Sequence, residues 1–125
     1  MMITSMAKRL DAPLPPDVAR ELWSSFISLV RSYTAAHGLN GTRQAVLEVS
    51  VDHLLVRAGE RLLTVHFDGQ RGTITRETGT RETGDATEFT LDEHGRLVFE
   101  RSGTGESDPE EMDMVAERLA REIMR

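Results

Sequence analysis

The stretch AVLEVSVDHLLVRAGERLLTVHFDGQRGTI, residues 45–74, decides the fold. Apolar and polar residues alternate along it, and two pairs of turn formers punctuate the alternation. Gly59-Glu60 suits a two-residue hairpin of type II′, with glycine taking the positive φ, and Asp68-Gly69 suits type I′. Pairing about the first turn sets Val56 opposite Leu63 and Leu54 opposite Val65. Pairing about the second puts Leu63, Val65 and Phe67 on the face of Ile74. One apolar face then runs across three strands, and a one-residue slip would destroy it. An antiparallel sheet is the expectation.

Working outward on the N-terminal side, residues 44–51 read as a further strand with Ala45, Leu47 and Val49 inward. A tight Val51-Asp52 turn would force a β-branched residue toward positive φ, so a loop from Ser50 to His53 is expected, with Val49 opposite Leu54. Before it, residues 18–37 are helical in period. Val18, Leu22, Trp23, Phe26, Ile27, Leu29, Val30 and Tyr33 fill one half of the wheel, and serines and charges the other. Asp17 is the expected N-cap and Gly38 the expected C′ stop. The apolar arc is wider than one sheet contact needs. Residues 1–14, with prolines at 13, 15 and 16 around their end, read as a loosely held tail, and residues 15–125 as one domain.

On the C-terminal side an exact tandem pentapeptide, Thr75-Arg76-Glu77-Thr78-Gly79 and Thr80-Arg81-Glu82-Thr83-Gly84, reads as a polar, mobile loop with little to bury. A hairpin follows. Residues 86–91 pair with 97–101 across Asp92-Glu93-His94-Gly95-Arg96, which sets Leu91 beside Leu97 and Phe89 beside Phe99. A second helix is expected over 108–124, with Asp108 as N-cap, Pro109 at N1 and Glu111 at N3. Its stripe is Met112, Val115, Ala116, Leu119 and Ile123. The fold class is therefore α+β: an antiparallel meander of about five strands with both terminal helices on one face. The expected core is Leu22, Phe26, Leu29, Leu47, Val49, Leu54, Val56, Leu63, Val65, Phe67, Phe89, Leu91, Phe99, Val115 and Leu119. This order of elements resembles the secretion-chaperone-like group. Those proteins usually place a helix between strands where this chain has its repeats, and the resemblance transfers no residues.

Composition narrows the function classes. The 125 residues are 38% hydrophobic and 29% charged, a balance ordinary for a single globular domain. The absence of cysteine removes disulfides, a thiol nucleophile and thiolate metal sites. A net charge of −6 argues against nucleic acid as a partner, because phosphates need a basic surface. No apolar run approaches a membrane span, and no secretory signal is legible, so no membrane partner and a cytoplasmic address are expected.

Few residues suggest chemistry. No catalytic constellation emerges: the helix serines have no histidine at a motif spacing, and Gly103-x-Gly105 lacks the third glycine of a dinucleotide fingerprint. No cofactor is expected. His53 and His66 fall opposite each other on the face away from the core, near enough to share a metal, with Asp52 and Asp68 close by. That outer face also carries Val46, Leu55 and Leu62, more aliphatic than a free sheet requires. Either this face, or the spare helix arc carrying Trp23 and Ile27, is expected to pack against another subunit. The first reading is thus a non-enzymatic, homodimeric interaction module, its partner itself or another protein. The alternative is a small-ligand binder or small hydrolase-like enzyme with a pocket between helix and sheet near Trp23, Tyr33, Phe67 and Phe89.

Overall fold

The computed structural model describes residues 14–39, 44–78, 81–82, 86–101, 105–106 and 108–125. Residues 1–13, 40–43, 79–80, 83–85, 102–104 and 107 lie outside them, and with them nearly all of the expected N-terminal tail and most of the second pentapeptide copy. Helix α1 spans Pro16–Gly38 and helix α2 Met112–Met124. Between them run β1 (Val46–Val49), β2 (His53–Ala58), β3 (Arg61–Asp68), β4 (Arg71–Thr78), β5 (Arg81–Glu82), β6 (Thr87–Leu91), β7 (Leu97–Arg101) and β8 (Gly105–Glu106). Six of these strands form an antiparallel sheet in the order β1-β2-β3-β4-β6-β7; the short β5 and β8 pair with β4 and β7. The expected α+β meander is present, one strand larger and with two short additions.

The first hairpin keeps the expected register, Val56↔Leu63 and Leu54↔Val65, with Gly59 at φ 63°. The second turn differs. Its loop is Gly69-Gln70, one residue later than the composition of Asp68-Gly69 suggests, and Asp68 pairs with Arg71. Gly69 takes φ 64° at the first loop position, the demand of a type II′ turn. Val65 therefore opposes Ile74, and Phe67 opposes Gly72. The shift moves each partner by two residues, so every side chain keeps its face.

Both helix starts also depart from expectation. Pro15 occupies the N-cap of α1 and Pro16 begins the helix, where a missing N–H costs nothing. Asp17 lies in the first turn instead, 3.5 Å from Arg20. At the far end the helix runs through Gly38, and Leu39 closes it with an N–H to Ala36 O bond of 3.3 Å. Helix α2 begins three residues later than Asp108 as N-cap would place it, with Glu111 at the cap. Glu110 exchanges two backbone hydrogen bonds of 2.8 Å with Leu97, which holds the chain extended across β7 until Glu111.

The first copy of the pentapeptide is not a loop. Thr75, Arg76, Glu77 and Thr78 complete β4, and Thr75, Arg76 and Glu77 are half-buried. Arg76 follows Ile74 on the inner face, opposite Leu63, and its guanidinium pairs with Glu122 of α2. Threonine's β-branch suits a strand, and the arginine stem covers apolar surface while its head reaches a carboxylate. In the second copy, Arg81 and Glu82 pair with Thr78 and Glu77; the remaining repeat residues lie outside the described set.

The core lies between the inner sheet face and the two helices. Phe26, Leu54, Val56, Leu63, Val65, Phe67, Phe89, Leu91, Val115 and Leu119 are buried as expected. Leu22, Leu29, Leu47 and Phe99 are only partly buried at its margin. Val49 is 48% exposed, a correction with a simple cause: it ends the edge strand, past the cover of the helices. The wide arc of α1 has two uses within the molecule. Ala19, Trp23, Phe26 and Val30 are buried, while Tyr33 and His37 reach Asp113 and Glu117 on α2. Among the described residues, no helix is long and apolar enough to cross a membrane.

Candidate functional site

Among the described residues, two places carry chemistry that the fold does not consume. The first is the β1 edge. Among the described residues β1 pairs only with β2. Ser50 N–H bonds to His53 O at 2.9 Å, and the alternation of an antiparallel ladder then aims the Leu47 and Val49 amide groups away from β2. Exposed valines cluster here, Val46 at 55%, Val49 at 48% and Val51 at 98%. Between this edge and α1 runs an open groove of about 500 Å³, lined by Ala19, Trp23, Ile27, Val49, Val51 and Phe67 among others. Val49 was not legible as a surface residue, because periodicity gives a side chain's face but not whether its strand is an edge; Val51 lies in the loop expected after Ser50.

The second is the outer face of the sheet. His53 and His66 are direct cross-strand partners, their ring centroids 6.0 Å apart. His53 Nδ1 lies 3.1 Å from Asp52 Oδ1. That hydrogen bond holds the Asp52 carboxyl below the ordinary carboxylate range, against a smaller opposing effect of desolvation, with the His66 charge adding to it. A concavity of about 690 Å³ opens beside the pair, lined by His66, Thr64, Thr73 and Thr75, by Asp52, Asp68, Glu88 and Glu100, and by Arg71 among others. Among the described residues, no group of three or more His, Cys, Asp or Glu is gathered as metal ligands. The structure thus brings the two histidines together with Asp52 and adds no third ligand to them.

The remaining singled-out residues divide. Trp23 is only 6% exposed, so it is not available as a surface contact in the sense its helix position suggested. Its indole stacks on Phe67 at 4.3 Å and meets Phe89 edge-on at 5.7 Å, while Nε1 donates to Gly69 O at 2.6 Å. These rings fill the space between α1 and the sheet with one another. Tyr33 is not with them: its hydroxyl donates to Asp113 at 2.6 Å, where α1 meets α2. That bond pushes its phenol above the usual value, with desolvation and the charges of Asp113 and Glu117 adding to the effect. Ile27 is half-buried in the groove wall, and Leu55 and Leu62 are half-buried on the outer face, where Arg57 joins Val46 to Leu62 in one cross-strand row.

No family model, no curated protein and no solved structure matches the chain. A functional reading therefore rests on the β1 edge and the outer face alone.

Proposed function

We propose that the chain is a non-enzymatic, cytoplasmic interaction module whose partner is a second copy of itself, joined along β1. The observation that carries this reading is the edge of β1, which no described residue pairs with and which three exposed valines and an apolar groove border. Soluble proteins protect such edges with Lys, Pro, bulges or covering segments, and β1 itself holds only Glu48 as a guard.

Symmetry limits how two copies can meet. An antiparallel pair about a two-fold axis joins residues whose numbers sum to an even value, so that helix layers lie on one side and faces match. Centring the pair on Glu48 would set two like charges opposite each other. Centring it on Leu47 sets leucine against leucine, Val46 against Glu48 and Ala45 against Val49. It also uses the amide groups that β2 leaves free. A four-residue strand is far below the ~800 Å² per partner of a standard interface, so the groove beside α1 must contribute and association should be weak.

Sedimentation of the full chain at micromolar concentration tests the reading. A monomer–dimer equilibrium is expected, abolished by Val49→Lys with the melting temperature unchanged, since the site is at the rim of the fold. A strict monomer, or a Val49→Lys dimer as tight as the parent, would remove the basis of the proposal. The α1–β1 groove also favours a second reading, a small-ligand-binding protein or small hydrolase-like enzyme, because Trp23 and Phe67 reach its wall. A thermal shift in a metabolite panel, abolished by the same Val49→Lys change, would promote it.

A further inference from the structure

We infer that His53 and His66 form a two-imidazole chelate for a divalent transition ion of the Zn²⁺, Ni²⁺ or Cu²⁺ kind on the outer face of the sheet. The inference is independent of self-association at β1. Its first support is the ladder. Phe67 N–H bonds to Asp52 O at 2.7 Å, so the backbone bond flanks the His53↔His66 pair and does not join it. A non-hydrogen-bonded pair is the closer of the two antiparallel types, with Cα atoms ~4.5 Å apart and side chains rising together from one face.

The rings are already near a chelating distance. Metal–imidazole bonds run ~2.0–2.1 Å, and a ring nitrogen sits roughly 1.1 Å from its ring centre. Two rings on one ion therefore have centroids ~5 Å apart at a tetrahedral angle and ~6 Å apart at a wider one. The observed separation is 6.0 Å with planes inclined by 33°. Small side-chain rotations close the remainder without moving the backbone.

Asp52 prepares one ligand. An ionised carboxylate can only accept, so across the 3.1 Å contact His53 Nδ1 is the donor, and Nε2 is the ring nitrogen left to face a metal ion. A carboxylate behind a ligating histidine is the usual outer-shell arrangement that orients the ring and raises its basicity. Asp68, Glu88 and Glu100 line the adjoining concavity with His66, against the single cation of Arg71, so the surroundings carry net negative charge. With two protein ligands, water fills the other positions. Imidazole preference sets the ion class, and affinity should follow the order Cu²⁺ above Ni²⁺ and Zn²⁺.

Titration calorimetry of the full chain with Zn²⁺ and Ni²⁺ tests the site. His53→Asn and His66→Asn should each weaken binding at least ~10-fold, since either leaves a single imidazole, and Asp52→Asn should weaken it ~10-fold with both rings intact. Cu²⁺ added to the unmodified protein gives a second readout that no variant's folding can confound. Paramagnetic broadening of amide signals should be strongest about residues 53 and 66. Unchanged affinity in both histidine variants, broadening centred on His37 or His94, or no heat and no broadening at all would each overturn the inference.

Discussion

A Cβ built at Gly72 would lie within 3.0 Å of three ring carbons of Phe89, so any side chain at this strand position must displace that ring. The cause is the register: Gly72 faces Phe67 on β3 and Phe89 on β6, and the Phe89 ring lies across it. Gly72→Ala should therefore cost ~1–3 kcal/mol by overpacking. Phe89→Leu should recover part of that loss in the double variant, since the two sites share one space; strict additivity in chemical denaturation would refute this packing. Tyr33, the sole tyrosine, offers a second residue-scale test. Its hydrogen bond to Asp113 raises the phenol above the ordinary value of about 10. A raised folded-state value means that this contribution to stability is fully present below pH ~10 and is lost as pH rises through the folded-state value. Absorbance titration should show Tyr33 ionising later than free tyrosine, and Asp113→Asn should bring it back. At this scale the sequence is partly readable. The buried faces of Leu54, Val56, Leu63, Val65 and Phe67 follow from alternation alone. The need for glycine at 72 does not, because it depends on which residue of a distant strand lies above it.

Among elements, the two helix starts and the pentapeptide show where local signals lose to tertiary pairing. Asp108-Pro109-Glu110-Glu111 has the composition of a capped helix start, yet two backbone bonds between Glu110 and Leu97 keep it extended. The Thr-Arg-Glu-Thr-Gly copies are identical, and the first becomes strand because β3 extends beside it from Asp68 to Arg61. Arg76 marks the difference. It pairs with Glu122 in a half-exposed contact, while Arg61 donates to the Glu122 carbonyl at 2.7 Å. Screening limits what this contact is worth, so Arg76→Glu should cost ~1 kcal/mol, and adding Glu122→Arg should restore much of it. A double variant no more stable than the single one would show that the pair does not fasten β4 to α2. The paired histidines belong to this scale too. Their opposition was legible from the Gly59-Glu60 turn, which counts residues outward to 53 and 66.

For the whole molecule, alternation and helical period together specify two layers and the side of the sheet that the helices cover. What they leave open is the lateral order at the margins. Nothing local distinguishes Val49 on an edge from Val65 at the sheet's centre, although one is 48% exposed and the other is fully buried. The β1 edge is for that reason both the least legible part of the fold and the part that the proposed self-association depends on. Amide hydrogen exchange at Leu47 and Val49, followed across protein concentration, tests that dependence most directly. If a second copy pairs along β1, both amides should exchange slowly at high micromolar concentration and approach unprotected rates on dilution, while Leu54 and Val65 stay protected throughout. Exchange at Leu47 and Val49 that does not change with concentration would contradict pairing through this edge.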